Sequence, residues 1–240
     1  KYFNNYAFFA FIMFISSMSF WPFGINGVRN GLATSIFLLG IYFYDKKWLM
    51  YALLLLSLTF HKSLILTLIA FLVAFKITNT LLLIRIWLVL VVVSYVFGSQ
   101  VEIIMNDILL NYGFIEDKRI DTYFSDEIDG EFMDRSYRLD FVIYSGIAIF
   151  LAYYYKYKKG FNDIFYDIIV NTYIIANAIW IILIYAAYTN RIAYLSWFIM
   201  PLVLVYPLLK NKKLVMNQNL FLGLLILGSL TFTVLIFIKS

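Results

Sequence analysis

Long apolar runs separated by short polar turns make up most of this chain. Crossing a hydrocarbon core of about 30 Å takes roughly 20 apolar residues in a helix. The pattern therefore predicts an all-α, polytopic transmembrane helical bundle. Runs near the required length occupy residues 6–21, 27–44, 81–98, 139–155, 163–187, 192–209 and 219–238.

Residues 48–75 form a further apolar run whose length is ambiguous. At about 1.5 Å per residue its 28 positions reach about 42 Å, too long for one upright span and short for two full ones. Lysine and arginine beside span ends decide between these readings, because they concentrate in cytoplasmic turns. Two crossings, at 48–60 and 62–75, collect the basic turns on one face, whereas a single crossing disperses them.

We therefore predict two short helices that meet at His61, as a hairpin or a re-entrant pair. The whole chain, residues 1–240, is then a single membrane domain of about eight to nine spans. The basic turns that share the cytoplasmic face contain Lys46, Lys47, Lys76, Arg85, Lys156, Lys158, Lys159, Lys210, Lys212 and Lys213.

The opposite face receives Arg29, the His61 turn, a long loop at residues 99–138 and the turn around Arg191. Eleven of the fourteen carboxylates fall on this face. The loop begins with the amphipathic stretch VEIIMNDILLNY, which we expect to lie in the membrane interface. No small-residue cleavage site follows the run at 6–21, so we expect a span there and not a signal peptide.

The composition agrees with a membrane environment. Apolar residues make up 63% of the 240 positions and charged residues only 14%, too few to cover a water-soluble surface. The net charge of +5 reflects topology signals, so we predict no nucleic-acid partner. Cysteine is absent, and the chain carries no phosphate-binding glycine loop, HExxH pair or GxSxG elbow.

Three ionisable residues at the non-cytoplasmic ends of spans are the candidates for chemistry. Arg29 presents a planar fork of donors suited to phosphate oxygens, although an arginine that snorkels to lipid headgroups is the simpler reading. His61, the single histidine, has a side-chain type that titrates near pH 6.5, and it acts either as a base or as a capping group at a turn. Arg191 opposes the orientation bias, which indicates an anionic partner or a carboxylate from the long loop.

Residues beside these three are expected to contact the substrate. Arg135 and Arg138 could extend an anion site, but Asp134 and Asp140 make local ion pairs the simpler reading. Asn171 and Asn177 lie within spans, where hydrogen bonding between helices is their default role. The expected substrate-binding side chains are Asn30, Lys62, Ser63, Arg135, Arg138, Asn190 and Tyr194.

One ordered set of features resembles a known family. An arginine, Arg29, opens a span; a turn with Lys46 and Lys47 follows; and the next apolar helix ends in Phe-His-x-Ser at residues 60–63. This order resembles the EpsG family of bacterial polysaccharide polymerases, relatives of the Wzy O-antigen polymerases. A looser similarity lies in the turn at residues 190–194, which precedes an apolar span containing Pro201.

The resemblance implies a glycosyltransferase at the outer leaflet of the bacterial cytoplasmic membrane. It would join oligosaccharide repeat units carried on undecaprenyl diphosphate, with Arg29 and Arg191 on the diphosphate and His61 activating the acceptor hydroxyl. We expect no cofactor and no metal. The expected partners are the lipid-linked oligosaccharide and the bilayer, with a chain-length regulator as an open possibility. The alternatives are a lipid-linked oligosaccharide flippase or transporter, and an O-antigen ligase-like transferase.

Overall fold

The computed structural model describes residues 7–111, 137–186, 189–211 and 213–239. Within those ranges the chain is helical and contains no strand, which confirms the predicted all-α class. A 3-10 turn at Lys62–Leu64 leads into the helix Ile65–Ala74, and a π-helical turn at Tyr154–Lys158 continues the helix Leu139–Tyr153. The helices are α1 (Ala7–Ser16), α2 (Phe20–Ile25), α3 (Val28–Tyr42), α4 (Lys47–Phe60), α5 (Ile65–Ala74), α6 (Thr80–Asn111), α7 (Leu139–Tyr153), α8 (Ile164–Ile182), α9 (Thr189–Trp197), α10 (Met200–Lys210) and α11 (Gln218–Lys239).

Four helical stretches of the described chain are long and apolar enough to cross a membrane: Thr80–Gly98, Ile164–Ile182, Thr189–Lys210 and Gln218–Ile238. Inside the protein, 89% of the third stretch is buried but only 17% of the fourth. The helix pair α9–α10 is therefore central, and α11 turns most of its apolar surface outward. The count of about eight to nine spans stays a prediction, because the remaining helices are shorter.

The chain reverses direction at His61, between α4 and α5. His61 itself has extended dihedral angles, φ −150° and ψ 109°. Phe37 of α3 packs against Phe71 of α5, with ring centroids 6.0 Å apart. Tyr44, just after α3, stacks on Phe75, just after α5, at 5.9 Å. The helix α5 therefore runs in the same direction as α3. The helix α4, which connects them along the chain, runs in the opposite direction.

Several lysines gather at one end of the bundle, which we call the lysine end. The ammonium of Lys47 lies 3.5 Å from the Tyr44 ring centroid and 5.0 Å from that of Phe75. The Tyr44 ring also meets Phe165 at the start of α8, with centroids 5.4 Å apart. The turn between α3 and α4, the end of α5 and the start of α8 therefore lie together.

Ion pairs complete the lysine end. Asp163 caps α8 by accepting from the Tyr166 backbone N–H at 3.0 Å, and it also pairs with Lys210 of α10. Lys156, on the π-helical turn, pairs with Asp167 of α8 at 2.6 Å, and its ammonium is almost fully buried. Lys156 and Lys210 therefore each have a carboxylate partner on α8 or at its start.

Two predicted spans are broken helices in the structure. The run at 6–21 divides into α1 and α2 at residues 17–19, and the run at 192–209 divides into α9 and α10 at Phe198 and Ile199. The second break precedes Pro201, which lacks an N–H and stands in the first turn of α10. Apolar length alone marks neither break.

Hydroxyl groups satisfy the backbone at the first break. The Ser16 carbonyl accepts from Ser229 at 3.0 Å and from Thr233 at 2.9 Å, both on α11. The Met18 N–H donates to the Tyr144 hydroxyl at 3.2 Å. Irregular backbone within an apolar bundle is tolerable where the protein supplies such partners.

The helix α6 is longer than predicted. The expected loop at 99–138 begins with a helical continuation of α6 as far as Asn111, which gives 32 residues. At about 1.5 Å per residue that length is about 48 Å, well beyond the hydrocarbon core. The amphipathic stretch VEIIMNDILLNY contains no proline, and its residues 101–111 continue the preceding helix. The remainder of the predicted loop, residues 112–136, lies outside the described residues.

A buried amide joins four of the central helices. The Asn177 side chain on α8 accepts from the Trp87 indole N–H of α6 at 2.8 Å and donates to the hydroxyls of Ser145 and Ser196, each at 3.0 Å. Ser145 lies on α7 and also accepts from the Trp197 indole at 2.7 Å. Asn177 is therefore hydrogen-bonded between helices, as expected of a polar group inside a span.

We expect Asn177→Ala to lower the free energy of unfolding by about 2 to 4 kcal/mol, because it leaves a buried indole N–H and two hydroxyls without their shared partner. Thermal melting in detergent measures the loss. The matched control is Asn219→Ala, since Asn219 is exposed on α11. Equal melting temperatures for the two variants would show that the amide contributes nothing.

Candidate functional site

Three phenylalanines set the relative heights of α3, α5 and α9. Phe37 meets Phe71 at 6.0 Å and Phe198 at 5.6 Å, and we call these three rings the aromatic layer. The Thr67 hydroxyl of α5 also donates to the Leu195 carbonyl of α9 at 2.7 Å, which fixes those two helices side by side. The helices α3, α5 and α9 therefore run parallel to one another, from their first residues towards the aromatic layer.

Asn30, Leu64 and Arg191 each lie seven residues before their member of the aromatic layer. Seven residues of helix rise about 10 Å, so the three positions stand at similar heights. Arg29 precedes Asn30, and His61 lies three residues before Leu64. The predicted candidates therefore converge at one end of the bundle, opposite the lysine end, and we call it the arginine end.

Helix amino termini face the arginine end. The helices α3, α5 and α9 all begin there, and α3 begins at Gly27 without a side-chain cap. Each amino terminus carries a partial positive charge, equivalent to about half a unit, from its aligned peptide dipoles. Anions are stabilised where such termini come together with arginine. The starts of these helices thus offer backbone N–H groups and dipole ends that favour an anion.

Arg29 and Asn30 occupy different faces of the first turn of α3. Arg29 is exposed, and Asn30 is partly buried. The next turn is held close to α2, because a Cβ built at Gly31 would come within 2.8 Å of the Phe23 carbonyl oxygen. This close approach fixes where α3 begins. A guanidinium on the exposed face can reach the headgroup region while the helix start stays fixed.

His61 is held through one ring nitrogen. The Ser63 hydroxyl lies 2.6 Å from His61 Nδ1, within the turn between α4 and α5. Ser63, predicted to bind substrate, is therefore a partner of His61. Lys62, between them, is exposed. The bond orients the imidazole, and orientation through the second nitrogen is a common feature of histidines that act in chemistry.

Tyr194 links the second turn of α9 to the surrounding elements. Its ring meets Phe23 edge-on at 5.5 Å, and its hydroxyl is within hydrogen-bonding reach of the Asn190 side chain. The Asn190 carboxamide also accepts from the Arg191 backbone N–H at 2.9 Å. Both Arg191 and Arg138 lie close enough for their charges to act on the Tyr194 hydroxyl. Tyr194 therefore connects α2, α9 and two arginines.

Arg138 makes the local ion pair that was the simpler reading of the sequence. Its Nε and Nη2 donate to the two Asp140 oxygens at 3.0 and 2.8 Å, and its guanidinium lies 3.6 Å from the Phe141 ring centroid. The Arg138 fork is thus occupied by a carboxylate at the start of α7. Arg135 lies outside the described residues.

Two positioning residues were missed by the sequence analysis. Thr67 fixes α5 against α9 through the Leu195 carbonyl, and Phe23 supports both Gly31 and Tyr194. The available signal for Thr67 was a single hydroxyl in the apolar run ILTLIAFLVA. Phe23 had no such signal, because aromatic residues are frequent throughout this chain.

Among the residues that the structure describes, no group of three or more histidine, cysteine, aspartate or glutamate side chains could hold a metal ion. The donors that the described residues place at the arginine end are guanidinium, imidazole, carboxamide and backbone N–H groups. Donors of this kind stabilise negative charge when they are held in place.

The EpsG family matches residues 1–240, the full length of the sequence. The chain belongs to the EpsG family. No curated protein and no solved structure matches it. EpsG membership is consistent with a polysaccharide-polymerase-like membrane protein of the glycosyltransferase type, in line with the apolar helices described above.

In this EpsG protein, Gly31 offers a test of the fixed helix start. We expect Gly31→Ala to lower the free energy of unfolding by about 1 to 3 kcal/mol, since the new methyl group must push α2 away from α3. Gly24→Ala is the matched control, because a Cβ there meets nothing within 4 Å. Thermal melting compares the two variants. Equal loss from both would mean that the close approach is unimportant.

Proposed function

We propose that this EpsG protein is a polysaccharide polymerase that joins oligosaccharide repeat units carried on undecaprenyl diphosphate. The proposal is supported by the position of Arg29, His61 and Arg191 towards the same end of the bundle, where α3, α5 and α9 begin. A diphosphate at the membrane interface matches that arrangement in charge and in position. The arginine end then faces outward from the bacterial cytoplasmic membrane, because the lysine end carries the positive-inside signal.

The proposed reaction is a glycosyl transfer between two lipid-linked chains. A hydroxyl oxygen of the acceptor unit attacks the anomeric carbon of the donor chain and forms the new C–O bond. The bond between that carbon and the diphosphate oxygen breaks, and the lipid diphosphate leaves with the electron pair. The acceptor's hydroxyl proton passes to the His61 imidazole, which the Ser63 hydroxyl orients through Nδ1.

Arg29 and Arg191 stabilise the charge that develops on the leaving diphosphate. Guanidinium groups fixed by their helices need little reorganisation as that charge grows, and the apolar surroundings strengthen the interaction. The Ser63 and Asn190 side chains orient His61 and the start of α9. Arg138 contributes less to this charge stabilisation, because its guanidinium is already bound to Asp140.

Purified protein in lipid bilayers, supplied with lipid-linked repeat units from a strain blocked in polymerisation, should produce a ladder of longer chains. A flippase or transporter would move the same lipid without forming new bonds. A ligase-like transferase would move the oligosaccharide to a different acceptor and give no ladder. Absence of the ladder from an active, folded preparation would contradict the polymerase proposal.

We expect Arg29→Ala and Arg191→Ala each to slow polymerisation about 10² to 10³-fold, the usual loss when one charge-stabilising donor is removed. Arg29→Lys should recover only part of the rate, because the charge remains while the planar fork is lost. Arg85→Ala is the matched control, since Arg85 is exposed on the first turns of α6. Unchanged rates for both alanine variants would contradict their assignment.

His61→Ala should slow the same reaction about 10² to 10⁴-fold if His61 takes the acceptor's proton. His61→Gln separates this role from simple hydrogen bonding, because glutamine can donate to a phosphate oxygen but cannot accept the proton at neutral pH. We expect glutamine to be as slow as alanine. A near-normal rate with glutamine would assign His61 to phosphate binding.

A further inference from the structure

Asn30 lies on the face of α3 that packs into the bundle. Ala33, Phe37 and Ile41 follow it at helical spacing, and each is at most 2% exposed. Phe37 in turn contacts α5 and the residue that follows α9. The Asn30 side chain therefore belongs to the inner stripe of α3, about 10 Å above the aromatic layer and at the height of Arg191.

The Asn30 Oδ1 atom is buried and has no hydrogen-bond partner within the part of the chain that the structure describes. A buried acceptor without a partner costs free energy, and native proteins keep few of them. By contrast, Asn177 and Asn171, the other inward asparagines discussed above, each accept a hydrogen bond at the carboxamide oxygen: Asn171 Oδ1 accepts from Thr80 at 2.8 Å. Among the described residues, Asn30 Oδ1 therefore lacks the donor that these two asparagines have.

The need for a hydrogen-bond donor to Asn30 Oδ1 narrows the chemical class of the ligand. An ionised diphosphate has only acceptor oxygens, so it cannot satisfy Oδ1. A sugar hydroxyl or an acetamido N–H can. We infer that Asn30 accepts a hydrogen bond from the sugar nearest the diphosphate, an inference that rests on the proposed function. Adjacent residues then divide the recognition: Arg29 contacts phosphate, and Asn30 contacts carbohydrate.

The test measures binding of two probes to the full-length protein in nanodiscs: undecaprenyl diphosphate itself, and undecaprenyl diphosphate that carries the repeat unit. The ratio of the two affinities isolates the contribution of the sugar. Asn30→Ala should lower this ratio about 5- to 10-fold, the usual effect of one hydrogen bond. Arg29→Ala should weaken both probes and leave the ratio unchanged.

Asn30→Asp is the conservative variant. Its carboxylate keeps an acceptor oxygen in nearly the same place, and its charge weakens both probes alike through their common diphosphate. The ratio should therefore stay near the wild-type value. A ratio that falls as far as in Asn30→Ala would overturn the assignment of Oδ1 as an acceptor.

Thermal stability of the ligand-free protein distinguishes a role of Asn30 in sugar recognition from a structural role. Removing an unpartnered acceptor should not destabilise the ligand-free protein, so Asn30→Ala should melt no lower than wild type. A lower melting temperature together with an unchanged ratio would overturn the inference in favour of a structural role. The polymer ladder is scored separately: no ladder from wild type would contradict the polymerase, whereas an altered ratio would still support sugar recognition by Asn30.

Discussion

The buried Asn177 carboxamide is the interaction on which the central part of this structure depends. An amide inside an apolar bundle has to find its partners within the protein, because lipid offers none. Asn177 finds them on α6, α7 and α9, and Ser145 extends the same network to the Trp197 indole. These hydrogen bonds therefore fix the position of α9. They also fix the position of the Arg191 turn, because α9 begins there.

The second constraint is the shared direction of α3, α5 and α9. Helices that begin at the same end bring their positive dipole ends together, which is unfavourable unless negative charge is nearby. The arginines at the same end add to the positive potential. Local ion pairs occur at both ends: Asp163 and Asp167 pair with Lys210 and Lys156 at the lysine end, and Asp140 pairs with Arg138 at the arginine end. A lipid diphosphate bound at the arginine end, as proposed, would offset the positive ends of the helices that begin there.

Hydrophobic length and charge predicted much of this fold, and their limits have physical causes. The reversal at His61 was predictable because only that arrangement gathers the lysines on one face. The break after α1 was not, since it depends on Ser229 and Thr233 of a distant helix. The extent of α6 was also missed, because an amphipathic stretch that follows a span can either leave the helix or continue it.

The candidate site, like the fold, was predicted only in part from the sequence. Residue chemistry and topology singled out Arg29, His61 and Arg191, but neither could show that Ser63 engages the histidine or that Asp140 engages Arg138. Those pairings depend on side-chain geometry within turns. Asn30 Oδ1 has no hydrogen-bond partner among the residues that the structure describes, and this too is a property of packing, because the sequence shows only an asparagine that follows an arginine.

The central claim is that the arginine end is one outward-facing site for a lipid diphosphate. Because the chain has no cysteine, single cysteines can be introduced at exposed positions and labelled with an impermeant maleimide on intact cells. We predict labelling of Asn26→Cys and Lys62→Cys from outside, slowed by added undecaprenyl diphosphate, and labelling of Lys46→Cys and Lys159→Cys only after permeabilisation. Labelling of Lys62→Cys and Lys46→Cys from the same side, or no protection by the lipid, would contradict the account.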